Sequence, residues 1–73
     1  MPKLPVVSGK ECRKALVRLG FEEVRQRGSH LVMRRGESGC VVPMHGEIKT
    51  GALAGLLKQA GVSVEEFLAA LGR

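Results

Sequence analysis

The hydrophobic positions of the chain follow two different periods, and the changes of period predict its elements. Near the amino terminus, Ser8 and Glu11 have the spacing of a capping box, which marks the start of a helix. Gly20 then marks the end of this helix, at a position where the left-handed backbone conformation of glycine is favoured. Between these signals the apolar residues recur at the i, i+3, i+4, i+7 spacing of one helix face, at Cys12, Ala15, Leu16 and Leu19.

After Gly20 the pattern becomes the one typical of short strands. Residues 21–26 predict a first strand, residues 29–34 a second, and residues 40–42 a short third one. The connections between them, at residues 27–28 and 35–39, are short and contain glycine. Strands joined by such tight turns must run antiparallel.

The second strand has two unlike faces. Because side chains alternate along a strand, Leu31 and Met33 would point to one side of the sheet. His30, Val32 and Arg34 would point to the other side.

A helical period returns after a loop at residues 44–49. Thr50 is the expected N-cap of a second helix, and Gly61 its stop. Ser63 and Glu66 form a second capping box before a short C-terminal helix. The apolar stripes of these two helices consist of Leu53, Leu56, Leu57 and Ala60, and of Val64, Phe67, Leu68 and Leu71.

These elements predict a single α+β domain over residues 1–73, in which residues 1–7 form an extended arm. Two helices with one apolar stripe each can pack on the same face of a three-stranded antiparallel sheet. The other face, which carries His30 and Arg34, would remain open. The α-β-β-β-α order is that of double-stranded-RNA-binding domains.

The charge of the chain points to a polyanionic partner. Its 73 residues include 12 Lys and Arg against 7 Asp and Glu, which gives a formal charge of +5. Such a balance favours nucleic acid first, and most of the basic residues lie in residues 1–35, on the first helix and the strands. Trp and Tyr are absent, which argues against a platform that stacks bases on aromatic side chains.

Cysteine usage and hydropathy favour a cytoplasmic protein without a membrane segment. Cys12 and Cys40 have no CxxC spacing, so we interpret both as reduced structural thiols. Residues 1–7 are too short and too rich in proline for a signal peptide, and no apolar run is long enough to span a bilayer. A chain this small also leaves little room for a large organic cofactor, and we expect none.

The candidate chemistry centres on His30, at the end of the Gly28-Ser29-His30 segment. Histidine exchanges protons near neutrality, and the planar guanidinium of arginine matches phosphate oxygens. His30 lies among Arg25, Arg27 and Arg34, which suggests chemistry on a phosphodiester. From this segment alone, a half-buried histidine of an amphipathic strand is the favoured interpretation, and each arginine is as well explained as a solvated charge.

Two other positions are candidates for contacts with RNA. His45 could be a general acid, a phosphate contact or a structural residue, and we favour the last two. Lys49 precedes the second helix, where exposed amides and the helix dipole favour an anion. A metal site built from Cys40, His45 and His30 lacks a fourth ligand and an acidic cluster, so we expect no metal.

Several ordered segments together resemble the HicA toxin family of type II toxin–antitoxin systems. The resemblance covers approximately residues 7–68. The segments are Ser8-Gly9-Lys10, Leu19-Gly20-Phe21, Gly28-Ser29-His30, Val42-Pro43-Met44-His45, Lys49-Thr50-Gly51 and Leu56-Leu57-Lys58-Gln59-Ala60-Gly61.

The resemblance implies a small ribonuclease that cleaves mRNA without a metal ion, on a fold like that of double-stranded-RNA-binding domains. It also implies a HicB-like antitoxin that masks the active site, and it makes His30 the catalytic residue. Two alternatives remain open. One is a non-catalytic RNA-binding module of the same fold, and the other is a protein-interaction subunit that has lost RNA binding.

Overall fold

A computed structural model describes residues 3–72 of the chain and has three α-helices and two antiparallel sheets within that range. Residues 1 and 2 of the expected arm lie outside the described residues. The elements in chain order are β1 (Val7–Ser8), α1 (Gly9–Arg18), β2 (Glu22–Arg27), β3 (His30–Arg35), β4 (Ser38–Pro43), β5 (Glu47–Ile48), α2 (Thr50–Ala60) and α3 (Val64–Leu71).

Both predicted capping boxes are confirmed. The Ser8 hydroxyl accepts a hydrogen bond from the Glu11 backbone N–H at 3.1 Å, and the Glu11 carboxylate accepts one from the Ser8 N–H at 3.0 Å. Ser63 and Glu66 make the same reciprocal pair at the start of α3. These bonds satisfy N–H groups that a helix start leaves without partners, and a cap of this kind stabilises by about 1 kcal/mol.

The main sheet has the strand order β2-β3-β4, and both of its connections are two-residue turns. Arg27 pairs with His30 around Gly28 and Ser29, and Arg35 pairs with Ser38 around Gly36 and Glu37. β2 and β3 each begin and end one residue later than the sequence predicted, and β4 begins at residue 38 instead of residue 40.

The helices cover one face of this sheet, as predicted. Leu31 and Met33 of β3 are 2% and 0% exposed, and they pack with Cys40 and Val42 of β4 against the apolar sides of α1 and α2. Phe67 of α3 completes the core at 0% exposure. Burying one large apolar side chain contributes roughly 1.5–3 kcal/mol, so a shared core of this kind makes the sheet a rigid support for its other face.

Two predictions about the segment before α2 were wrong. Thr50 is the first residue of α2, and the N-cap is Lys49, whose extended backbone makes no side-chain capping bond. Residues 44–49 are also not only a loop, because β5 pairs there with β1 in a second, two-stranded sheet. Val7, the last residue of the expected extended arm, therefore lies in strand β1. Its side chain is buried in the core, which favours the pairing of β1 with β5.

No helix within residues 3–72 is long and apolar enough to cross a membrane.

Candidate nucleic-acid interface

The sheet face opposite the helices is organised in three cross-strand rows. Residues directly opposite each other on neighbouring strands point to the same face, so the strand register fixes which side chains share it. Counted from the β2–β3 turn, the first row contains Arg27, His30 and Pro43, the second row Arg25, Val32 and Val41, and the third row Glu22, Arg34 and Gly39.

His30 occupies the centre of the first row, at the beginning of β3. The turn that precedes it depends on Gly28, whose φ of +57° lies in the left-handed region that favours glycine. His30 is exposed, with Arg27 directly opposite on β2 and Pro43 directly opposite on β4. A substrate can therefore reach the imidazole from solvent, with one cation beside it.

His45 lies at the same end of the sheet. The Met44 N–H donates to the Ser29 carbonyl, which extends the β3–β4 ladder one step beyond Pro43. His45 follows in an exposed bend. The structure thus brings the two histidines of the chain to one end of the sheet, although they are 15 positions apart in the sequence.

The register also groups the three arginines that the sequence singled out, because Arg25, Arg27 and Arg34 each occupy a different row of the open face. Within residues 3–72, none of the three makes a hydrogen bond or an ion pair. Their charges are therefore available to an external anion.

Three other arginines have structural partners that the sequence did not reveal. Arg13 pairs with Glu23 at 2.9 Å, and Arg18 donates to the carbonyl of Ala70 at 2.7 Å, near the end of α3. Arg35 donates to the Leu19 carbonyl at 2.9 Å and lies over the Phe21 ring, 4.8 Å from its centroid. Each of these contacts connects segments that are distant in the chain, and a single sequence contains no signal that would predict them.

Lys49 does not belong to the three rows. It follows β5, which pairs with β1 and not with the main sheet, and its side chain is exposed at the start of α2. Its predicted contact with RNA stays a prediction.

The two cysteines lie on the helix-covered side, away from the histidines. Cys40 pairs with Met33 in the buried register, so its side chain points to the face opposite His30. Burial and the nearby Cys40 raise the pKa of Cys12 to about 12, and burial also raises the pKa of Cys40. The set of Cys40, His45 and His30 is not assembled, and residues 3–72 contain no other group of three or more His, Cys, Asp or Glu that could hold a metal ion.

Gly9 is a positioning residue that sequence reasoning missed. A Cβ atom at this position would overlap the Pro43 carbonyl oxygen and lie 2.7 Å from the Met44 Cα. The Gly9 N–H also donates to the Gly46 carbonyl at 3.4 Å. The start of α1 thus holds the segment that carries His45. The one signal in the sequence was a glycine in the first turn of a helix, where its low helix propensity needs a reason.

A comparison with protein families identifies the chain. The family described as HicA toxin of bacterial toxin–antitoxin matches residues 9–62, which include α1, the whole main sheet and α2. The chain belongs to the HicA toxin family. The resemblance seen in the sequence and the predicted α+β fold are thereby confirmed, and α3 lies outside the matched range.

Membership makes this HicA chain a toxin of a toxin–antitoxin system, with an antitoxin as partner and RNA as the implied substrate. No curated protein matches the chain. The match includes all three rows of the open face.

Proposed function

We propose that this HicA chain is an endoribonuclease that cleaves mRNA in the cytoplasm, with His30 as the base that activates the ribose 2′-hydroxyl. The observation that carries the proposal is the first row of the open face. There an exposed histidine lies directly opposite Arg27, on a surface that the core holds in place.

The chemical step follows from these two side chains. His30 accepts the proton of the 2′-hydroxyl, and the 2′ oxygen forms a bond to the adjacent phosphorus. The bond from phosphorus to the 5′ oxygen breaks, and the departing 5′ oxygen takes a proton from water. The products are a 2′,3′-cyclic phosphate and a 5′-hydroxyl. The hydroxide left from the water takes the proton back from His30, so atoms and charge balance and the base is regenerated.

Arg27 has the complementary role of stabilising charge. Negative charge builds on the phosphorane oxygens as the new bond forms, and a guanidinium held nearby interacts more strongly with that state than with the substrate. Arg25 and Arg34 lie farther along the sheet and would bind the RNA backbone. His45, which is at the same end of the sheet, would contact RNA or hold the bend, and Lys49 would add a contact at the start of α2.

We propose that the reaction needs no metal ion. A metal ion would activate the attacking hydroxyl or neutralise the phosphorane, and His30 and Arg27 can perform these two tasks themselves. Cleavage is then expected to continue in excess EDTA.

The proposed antitoxin is HicB-like and covers the open face. Three arginines without partners on that face would be costly to bury alone, so the antitoxin must place acidic groups against them. Such complementarity also speeds association and makes it sensitive to salt.

The test is cleavage of an mRNA by the purified chain, by His30→Ala and by His45→Ala, with and without EDTA. We expect His30→Ala to remain folded by circular dichroism and to lose roughly 10²–10⁴-fold in rate, as is usual for removal of a general base. Wild-type rates in folded His30→Ala would leave the non-catalytic RNA-binding module as the better description. Activity that EDTA abolishes and Mg²⁺ restores would contradict the metal-free reaction.

A further inference from the structure

We infer that the open face holds single-stranded RNA by its backbone, with one phosphate in each of the three rows. This inference rests on the proposed function, because it describes how the substrate lies against the same site. It specifies the length and the form of the RNA that the site accepts.

The spacing of the rows carries the inference. Successive rows are two residues apart along β3, which corresponds to roughly 6–7 Å at 3.2–3.4 Å per residue. This is close to the separation of neighbouring phosphates in an extended single strand. Each row contains one arginine, and the three arginines have no partner within residues 3–72.

The third row defines the path of the strand. Glu22 lies opposite Arg34 on β2 and would repel a phosphate on that side. Gly39 lies opposite Arg34 on β4, and a Cβ atom there would be only 3.3 Å from the Arg34 Cγ, so the arginine side chain extends over the glycine. The available positive charge therefore runs diagonally, from β2 in the first two rows towards β4 in the third.

The remaining surface of the face is apolar and without aromatic rings. Val32 and Val41 adjoin in the second row, and Pro43 closes the first row on the β4 side. Both phenylalanines of the chain are buried in the core. Sugars and bases can lie against this surface, and apart from the His30 imidazole the face offers no ring to stack on, so binding should depend little on sequence.

An extended strand also suits the chemistry at His30. The attacking 2′ oxygen and the departing 5′ oxygen must lie roughly in line across the phosphorus. A regular duplex holds the ribose away from that arrangement, whereas a strand drawn out over the rows can rotate into it. We therefore expect single-stranded RNA to be preferred over duplex RNA of the same sequence.

The binding test uses oligothymidylates of two to eight nucleotides, which lack the 2′-hydroxyl and cannot be cleaved by the proposed reaction. Affinity, measured by NMR titration, should rise with each phosphate up to the tetranucleotide, which has three internucleotide phosphates, and then level off. At that length the slope of log affinity against log salt should be about −2, at roughly −0.7 for each phosphate contact with a single strand.

Two charge-removing variants locate the effect. Arg34→Gln should bring the plateau one nucleotide earlier and reduce the salt slope by about 0.7, because it removes one contact. Lys58→Gln removes the same charge from the exposed side of α2, and it should leave both the plateau and the slope unchanged.

Several results would overturn the three-row arrangement. They are an affinity that rises without a plateau to eight nucleotides, an equal effect of Lys58→Gln, tighter binding of duplex RNA, or equally tight binding of a poly-glutamate peptide. None of them bears on whether His30 is the base. Conversely, a folded His30→Ala variant that cleaves at the wild-type rate would refute the proposed reaction and leave the length dependence intact.

Discussion

Arg34 and Arg35 are neighbours in β3 but point to opposite faces of the same sheet. The guanidinium of Arg35 is half-buried, where it donates to the Leu19 carbonyl and lies over the Phe21 ring. The Arg34 side chain is exposed and makes no hydrogen bond or ion pair within residues 3–72. Alternation along one strand thus assigns one arginine to the fold and leaves the other for a ligand.

The same division applies to the whole sheet. The helix-covered face packs into the core and contains Cys40, and no buried side-chain nitrogen or oxygen atom within residues 3–72 lacks a hydrogen-bond partner. The open face contains His30 and the arginines without partners. A change on the first face should therefore act on stability, and a change on the second on RNA binding and cleavage.

The largest contrast is expected between adjacent residues of β3. Met33 is 0% exposed, so Met33→Ala should lower the free energy of unfolding by about 2–5 kcal/mol, through lost burial and a cavity. Val32→Ala, on the open face, should cost less than about 1 kcal/mol. Urea unfolding of both variants measures the difference. Equal losses would show that the open face is packed against something in the folded protein and is not free.

The second prediction concerns Gly9 and the segment that carries His45. Gly9→Ala should destabilise by about 1–3 kcal/mol, because the new methyl group overlaps the backbone at Pro43 and Met44. Gly55→Ala is the matched control, since Gly55 lies in α2 with open space around its Cβ position. Higher helix propensity should make that variant more stable by about 0.5–1 kcal/mol. Opposite signs for the two substitutions would separate close packing from propensity.

These residues also show how far the sequence alone could predict the structure. The capping boxes, the alternation of β3 and the apolar helix stripes are local signals, and each predicted its element correctly. Gly9 acts through residues more than 30 positions away, and Arg35 through a carbonyl 16 positions away. Contacts of this kind depend on the packing of elements that a periodic pattern does not position.

The candidate site likewise has one part that the sequence could predict and one part that it could not. The sequence placed His30 and Arg34 on one face, because both lie in β3. It could not place Glu22 opposite Arg34, because a register shift between Glu23 and Arg25 brings Glu23 opposite Met33 instead. An irregularity of this kind has no dependable signature in a sequence, so the acidic residue that borders the third row was found only in the structure.

The third prediction compares the two neighbouring arginines directly. Arg35→Gln should cost about 1–2 kcal/mol, through the lost hydrogen bond and the contact with the Phe21 ring, and should leave RNA affinity largely unchanged. Arg34→Gln should change the free energy of unfolding by less than about 0.5 kcal/mol and weaken RNA binding. Urea unfolding and titration with a single-stranded oligonucleotide measure the pair. Both effects appearing in one variant would contradict the division between the faces.

The smallest effect is expected from the pH dependence of the free energy of unfolding, and it comes from the buried thiol of Cys12. Burial and then Cys40 raise the pKa of Cys12 from 9.0 to about 12 in the folded protein. The folded state then holds the thiol proton more tightly than the unfolded state does. This contribution to stability is complete below pH 9 and is lost as the pH rises from 9 towards 12. At pH 10 the loss of stability should be about 1 kcal/mol, from 1.36 kcal/mol for each pKa unit.

Urea unfolding under reducing conditions from pH 7 to 10 measures this loss, with Cys12→Ala as the comparison. The variant should be less stable throughout because of its cavity, but its stability should fall less steeply above pH 9. Parallel curves would mean that the alkaline loss does not come from the Cys12 thiol.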